Sequence, residues 1–145
     1  MYELTKQKST GYRIIFGIII FAFIAAVLKM AFRQPASSLN DDMIKAANDI
    51  NSHAPIIIDS TTRFDYVNAL SGNVFQYNYT LLTLDRTQID TNLLKHSGKE
   101  SMIQQMKQDA KTAKNFKDNN IQIQARYTDK NGAYVAEVSI YSNEY

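Results

Sequence analysis

The chain has 145 residues, with 16 basic and 14 acidic side chains, no tryptophan and no cysteine. The missing cysteine excludes a thiol nucleophile, thiolate metal ligands, disulfides and lipoprotein acylation, and the length suits one domain with one core. Charge divides unevenly: five basic residues and one acidic residue precede residue 34, leaving 11 against 13 after it, which disfavours a nucleic-acid role for the folded part.

Residues 1–13 form a short polar tail, too short to fold alone. Residues 14–32, IIFGIIIFAFIAAVLKMAF, read as a transmembrane helix: nineteen residues rising about 1.5 Å each approach the roughly 30 Å of a bilayer core. Lys29 lies near one end, where its stem can sit in hydrocarbon and its ammonium can reach the headgroups. A cleaved signal peptide is the alternative, but the following KMAFRQPASS offers no clear small-x-small cleavage site. Lys6, Lys8 and Arg13 before the run, against Lys29 and Arg33 at its far end, place the N-terminus in the cytoplasm and the domain in the periplasm. Within the span, Ala22 and Ala26 form a small-xxx-small pair that could pack against another helix, the alternative being ordinary lipid-facing residues.

Residues 33–38 form a linker, because Pro35 ends the membrane helix. Ser38 with Asp41 resembles a capping box, predicting a helix to about residue 52 with Leu39, Met43, Ala46, Ala47 and Ile50 on one stripe. Residues 56–66 alternate as a strand: Ile56, Ile58, Phe64 and Tyr66 on one face, Asp59, Thr61, Arg63 and Asp65 on the other. After the turn signal Ser71-Gly72-Asn73, residues 74–84 form a second strand with Phe75, Tyr77, Tyr79 and Leu81 on one side, making a hairpin. Asp90 caps a short helical turn bearing Leu93 and Leu94. A second capping box, Ser97 with Glu100, opens a helix to about residue 114 with Met102, Met106, Ala110 and Ala113 on its stripe. A last hairpin pairs Ile121, Ile123, Ala125 and Tyr127 with Tyr134, Ala136, Val138 and Ile140 across Asp129-Lys-Asn-Gly132. The expected domain, residues 39–145, is α+β in the order α-β-β-α-β-β, with helices covering one face of a four-stranded antiparallel sheet.

No catalytic, phosphate-binding or cofactor motif is present. His53 and His96, the two histidines, each lie near the end of a predicted helical segment and show no metal-ligand spacing. Asp59, Arg63 and Asp65 share the face opposite the apolar one, and Gln76, Asn78, Arg126 and Glu137 project the same way if the registers hold. Such a face could dock a protein partner, with Asp59, Arg63, Asp65, Asn78 and Arg126 as contacts. Its structural reading is a solvated ion-pair ladder worth up to about 1 kcal/mol per pair. Tyr77, Tyr79, Tyr127 and Tyr134 are expected on the apolar side, while Tyr141 and Tyr145 could lie in the core or stand exposed as interface anchors.

The runs Pro55-Ile-Ile-Ile-Asp59, Thr62-Arg63-Phe-Asp65, Gly72-Asn73, Tyr77-Asn-Tyr-Thr-Leu81 and Arg126-Tyr127-x-Asp129-x-x-Gly132 resemble a pattern in small bacterial envelope proteins with an N-terminal signal or anchor. The resemblance implies a bacterial envelope location and transfers no catalytic residue. The functional expectation is a non-enzymatic, single-pass inner-membrane protein. Its periplasmic domain binds protein as an accessory or scaffolding subunit, and residues 14–32 contact lipid. The alternatives are a periplasmic immunity or inhibitor protein and, less suited to these residues, a small hydrolase.

Overall fold

The computed structural model describes residues 38–145; the tail at 1–13, the span at 14–32 with Ala22 and Ala26, and linker residues 33–37 lie outside the described residues. Among the described residues no helix is long and apolar enough to cross a membrane. Ser38 caps helix α1 (Leu39–Asn51): its Oγ accepts the Asp41 N–H at 3.2 Å and donates to the Asp41 carboxylate at 2.8 Å. The stripe Met43, Ala46, Ala47 and Ile50 is buried as the spacing requires.

Where alternation alone reads one strand over 56–66, the structure has two: β1 (Ile56–Ile57) and β2 (Thr62–Leu70), paired antiparallel. The chain reverses between them because Asp59 Oδ1 accepts from Thr61 N at 2.7 Å, Thr61 Oγ1 at 2.9 Å and Thr62 N at 2.9 Å, an aspartate turn that alternation does not register. β2 then forms the expected hairpin with β3 (Val74–Leu81), turning through Gly72 and Asn73, whose positive φ values of 81° and 60° suit those residue types.

A 3-10 turn (Arg86–Gln88) follows, then α2 (Thr91–Gln108) and α3 (Ala110–Asp118). Asp90 caps a long helix rather than a short turn, its carboxylate accepting from Asn92 N and Leu93 N at 3.1 and 3.0 Å. The capping box at Ser97 and Glu100 is not used; Ser97 Oγ instead donates back to the Leu93 carbonyl at 2.7 Å within the continuous helix. His96 therefore sits inside the helix, with Nε2 3.3 Å from Glu100. The break comes at Asp109, whose carboxylate accepts from Thr112 N at 3.2 Å and Thr112 Oγ1 at 2.9 Å. That break rotates the stripe: Ala110 is exposed, while Thr112, Ala113 and Phe116 face the core.

The last hairpin, β4 (Gln122–Thr128) and β5 (Tyr134–Ile140), forms as expected. The sheet is not four-stranded and antiparallel, however. Among the described residues it has five strands in the order β1-β2-β3-β4-β5, and β3 runs parallel to β4 because the 3-10 turn, α2 and α3 make a crossover long enough to return the chain in the same direction. One face is buried: Phe64 and Val67, then Phe75, Tyr77, Tyr79 and Leu81, then Ile123, Ala125 and Tyr127, then Ala136, Val138 and Ile140. Phe116 stacks on Phe75 with ring centroids 6.1 Å apart, and Tyr79 on Tyr127 at 5.4 Å. Helix α1 packs on β2 and α2 on β5.

Two bulges overturn parts of the expected alternation. Phe64 pairs with Tyr79 and Tyr66 with Asn78, so Asp65 is the extra residue and Tyr66 swings to the uncovered face, 47% exposed. Tyr127 pairs with Ala136 and Thr128 with Tyr134, so Val135 is extra and Tyr134 also turns outward, 48% exposed. Tyr141 is exposed, whereas Tyr145 is buried and its hydroxyl donates to the Ile121 carbonyl at 3.1 Å.

Candidate interaction face

The strand registers lay the uncovered face out in rows. Ile57, Arg63, Thr80, Thr128 and Tyr134 cross all five strands in the first. Tyr66, Asn78, Arg126 and Glu137 form the second, and Asn68, Gln76, Gln124 and Ser139 the third. With strands about 4.8 Å apart, side chains in one row are within hydrogen-bonding reach of each other.

In the first row, Arg63 Nε donates to Asp65 Oδ1 at 2.5 Å and Thr80 Oγ1 donates to Asp65 Oδ2 at 2.6 Å. Thr80 and Thr128 hydroxyls lie 3.2 Å apart, and Thr128 Oγ1 is also 3.2 Å from the Tyr79 carbonyl. The bulge aims Asp65 at this cluster; the pair is partly solvated and worth up to about 1 kcal/mol. In the third row, Asn68 Nδ2 donates to Gln76 Oε1 at 3.4 Å and Gln76 Nε2 to Gln124 Oε1 at 3.2 Å.

Of the five residues expected as contacts, Arg63, Asp65, Asn78 and Arg126 lie on this face and Asp59 does not, its carboxylate being spent on the turn at 59–62. Asn78 is 7% exposed, and its amide donates to the carbonyls of Gln76 at 3.2 Å and Tyr66 at 3.4 Å, so it serves the backbone. Arg126 is exposed, its guanidinium carbon 5.3 Å from the Tyr134 ring centroid. Alternation could not find Tyr66 and Tyr134, because both reach the face through bulges.

Burial and hydrogen bonding perturb several ionisable groups of the domain. Burial raises the hydroxyls of Tyr77 and Tyr79 far above their usual range and those of Tyr127 and Tyr145 to about 12. Burial also pushes the Asp129 carboxyl upward, but the N–H groups of Ala133, Arg86 and Asn131, donating at 2.9, 3.0 and 2.8 Å, together leave it below the usual carboxylate value. Asp129 thereby ties the 84–88 segment to the β4–β5 turn. Glu144 is lowered by the side-chain hydrogen bond from Lys99, 2.6 Å away, and by the Tyr141 N–H. The His53 ring contacts the Asp49 carbonyl at the end of α1, as expected. Among the described residues no group of three or more His, Asp or Glu side chains is placed to hold a metal ion.

No family model matches the chain, and no curated protein matches it. A solved structure does: the 1.60 Å crystal structure of a Pseudomonas aeruginosa protein inferred to be secreted, with a TM-score of 0.60 and 12% sequence identity, covering 75% of this chain and 98% of that one. At that identity the likeness is one of fold.

Proposed function

We propose that the chain is a non-enzymatic, membrane-anchored binding protein of the bacterial envelope. Residues 14–32 tether a periplasmic domain that docks another protein as an accessory or scaffolding subunit. The observation that carries this reading is the uncovered sheet face, where Arg63, Tyr66, Arg126 and Tyr134 stand above a floor of paired hydroxyls and carboxamides. Arginine and tyrosine are the residue types that most often anchor protein contacts, and opposed charges on the face, Arg63 and Arg126 with Asp65 and Glu137, favour a partner over bulk polyanions. The apolar run, its basic flanks and the fold shared with a protein inferred to be secreted support the location.

The test is a mild-detergent pull-down of the tagged full-length chain, with Arg63→Glu and Arg126→Ala alongside. Stoichiometric recovery of membrane proteins that drops about tenfold or more in both variants, each still folded by circular dichroism, is expected; ΔΔG of at least about 1.4 kcal/mol corresponds to that drop. Unchanged recovery by the folded variants sinks the assignment of this face. Recovery of one soluble protein that survives replacement of the span by a cleavable signal peptide would instead favour the inhibitor reading.

A further inference from the structure

The two edges of the sheet are unlike. On one side β1 has only two residues, and where it stops the Asn51 side chain takes over: its amide donates to the Val67 carbonyl and its Oδ1 accepts the Val67 N–H, both at 2.8 Å. A carboxamide paired this way fills the place of a neighbouring peptide group. On the other side β5 runs for seven residues with no strand beyond it among the described residues, and it contains neither proline nor lysine, the usual edge guards. Its bulge at Val135 lies at its start, leaving 136–140 regular. The chain after it is tied elsewhere, by Ser142 Oγ to Asn120 Oδ1 at 2.6 Å, Glu144 to Lys99 and Tyr145 to Ile121.

We propose that the β5 edge is a self-association site, pairing antiparallel with β5 of a second copy about a two-fold axis at Val138. Unpaired backbone groups at a strand edge select another strand. Among the described residues β5 is the one long unpaired edge, the opposite edge being the two-residue β1 and the Asn51-capped stretch of β2, so pairing at β5 closes as a pair rather than propagating a filament. The axis position follows from charge. Centring on Glu137 would oppose two carboxylates. Centring on Val138 sets Glu137 against Ser139 of the partner subunit and Ala136 against Ile140 of the partner subunit, keeping polar and apolar faces continuous across the join. The product is a ten-stranded sheet, five strands from each copy, with Arg63 and Arg126 of both copies uncovered. This association goes beyond the partner-binding reading and does not depend on it.

Because the chain has no cysteine, introduced thiols report cleanly. Full-length Glu137→Cys and Ser139→Cys chains, carrying different tags, are co-expressed, purified in mild detergent and oxidised gently. Directly opposed residues have Cα atoms about 4.5–5.5 Å apart, within disulfide reach, whereas either variant alone places its two thiols on the diagonal at about 7–8 Å. The expected result is a cross-linked dimer on non-reducing gels at least about tenfold more abundant for the mixed pair than for either variant alone, with light scattering giving two copies of the unmodified chain per particle. A one-copy mass overturns the proposal. So does a two-copy mass with no more cross-linking than a control pair, Asn68→Cys with Gln124→Cys, since that places the contact elsewhere.

Discussion

Tyr77 carries its hydroxyl into the core with no hydrogen-bond partner among the described residues, while Tyr145, also buried, donates to the Ile121 carbonyl. An unpaired buried hydroxyl loses its water without recompense, whereas a paired one keeps a net gain of about 1 kcal/mol. Tyr77→Phe is therefore expected to leave stability unchanged or raise it by up to about 1 kcal/mol, and Tyr145→Phe to lower it by about 1 kcal/mol, as read by urea unfolding. A clear loss in Tyr77→Phe would mean that its hydroxyl is satisfied after all. Residue-scale reading succeeded for these rings wherever plain alternation ruled, at Phe75, Tyr77, Tyr79 and Tyr127. It failed at Tyr134 and Tyr66, each displaced to the outer face by one extra residue that no local pattern announces.

Between elements, Asn51 joins α1 to the edge of β2 by two hydrogen bonds to Val67. Asn51→Ala strips the partners from both backbone groups of Val67 at the place where β1 no longer covers the edge. A loss of about 2–4 kcal/mol is expected from two broken bonds and the partly buried groups left bare. A change below about 0.5 kcal/mol would show that water replaces the amide fully and that the edge is not guarded there. Helix starts were legible where caps compete with nothing, as at Ser38 and Asp90, although the helix from Asp90 runs far beyond the short turn expected there. Ser97 and Glu100 spell an equally good box, yet the helix already running from Asp90 reaches them first, and continuing it keeps every backbone bond that a new start would break.

For the whole molecule, stability against pH follows from buried and hydrogen-bonded ionisable groups. Asp129, Asp85 and Glu144 have folded values below their ordinary 3.8, 3.8 and 4.5, so their contribution is complete above the ordinary value and is lost as pH falls through the folded one. Tyr77, Tyr79 and Tyr127 have folded values above 10, so theirs is complete below about 10 and is lost as pH rises further. Urea unfolding across pH is expected to show a plateau between these limits and a fall on either side. Asp129→Asn should lower the plateau and shallow the acid fall; an acid limb identical to that of the parent would remove Asp129 from this role.

The sequence by itself determined the strongly periodic features: the α1 stripe, both hairpins, the inward tyrosines of β3 and an α+β domain with one covered and one open sheet face. Those follow from side-chain spacing and turn chemistry within a dozen residues, where local physics suffices. Only the tertiary structure decided that β3 and β4 lie parallel, that Asp59 belongs to a turn, that Tyr66 and Tyr134 join Arg63 and Arg126 on the outer face, and that among the described residues one sheet edge is plugged while the other is bare. The parallel pairing spans more than 40 residues and is set by packing the whole core at once, while the turn and the two bulges each rest on a residue that leaves the alternation only when its strand finds its partner.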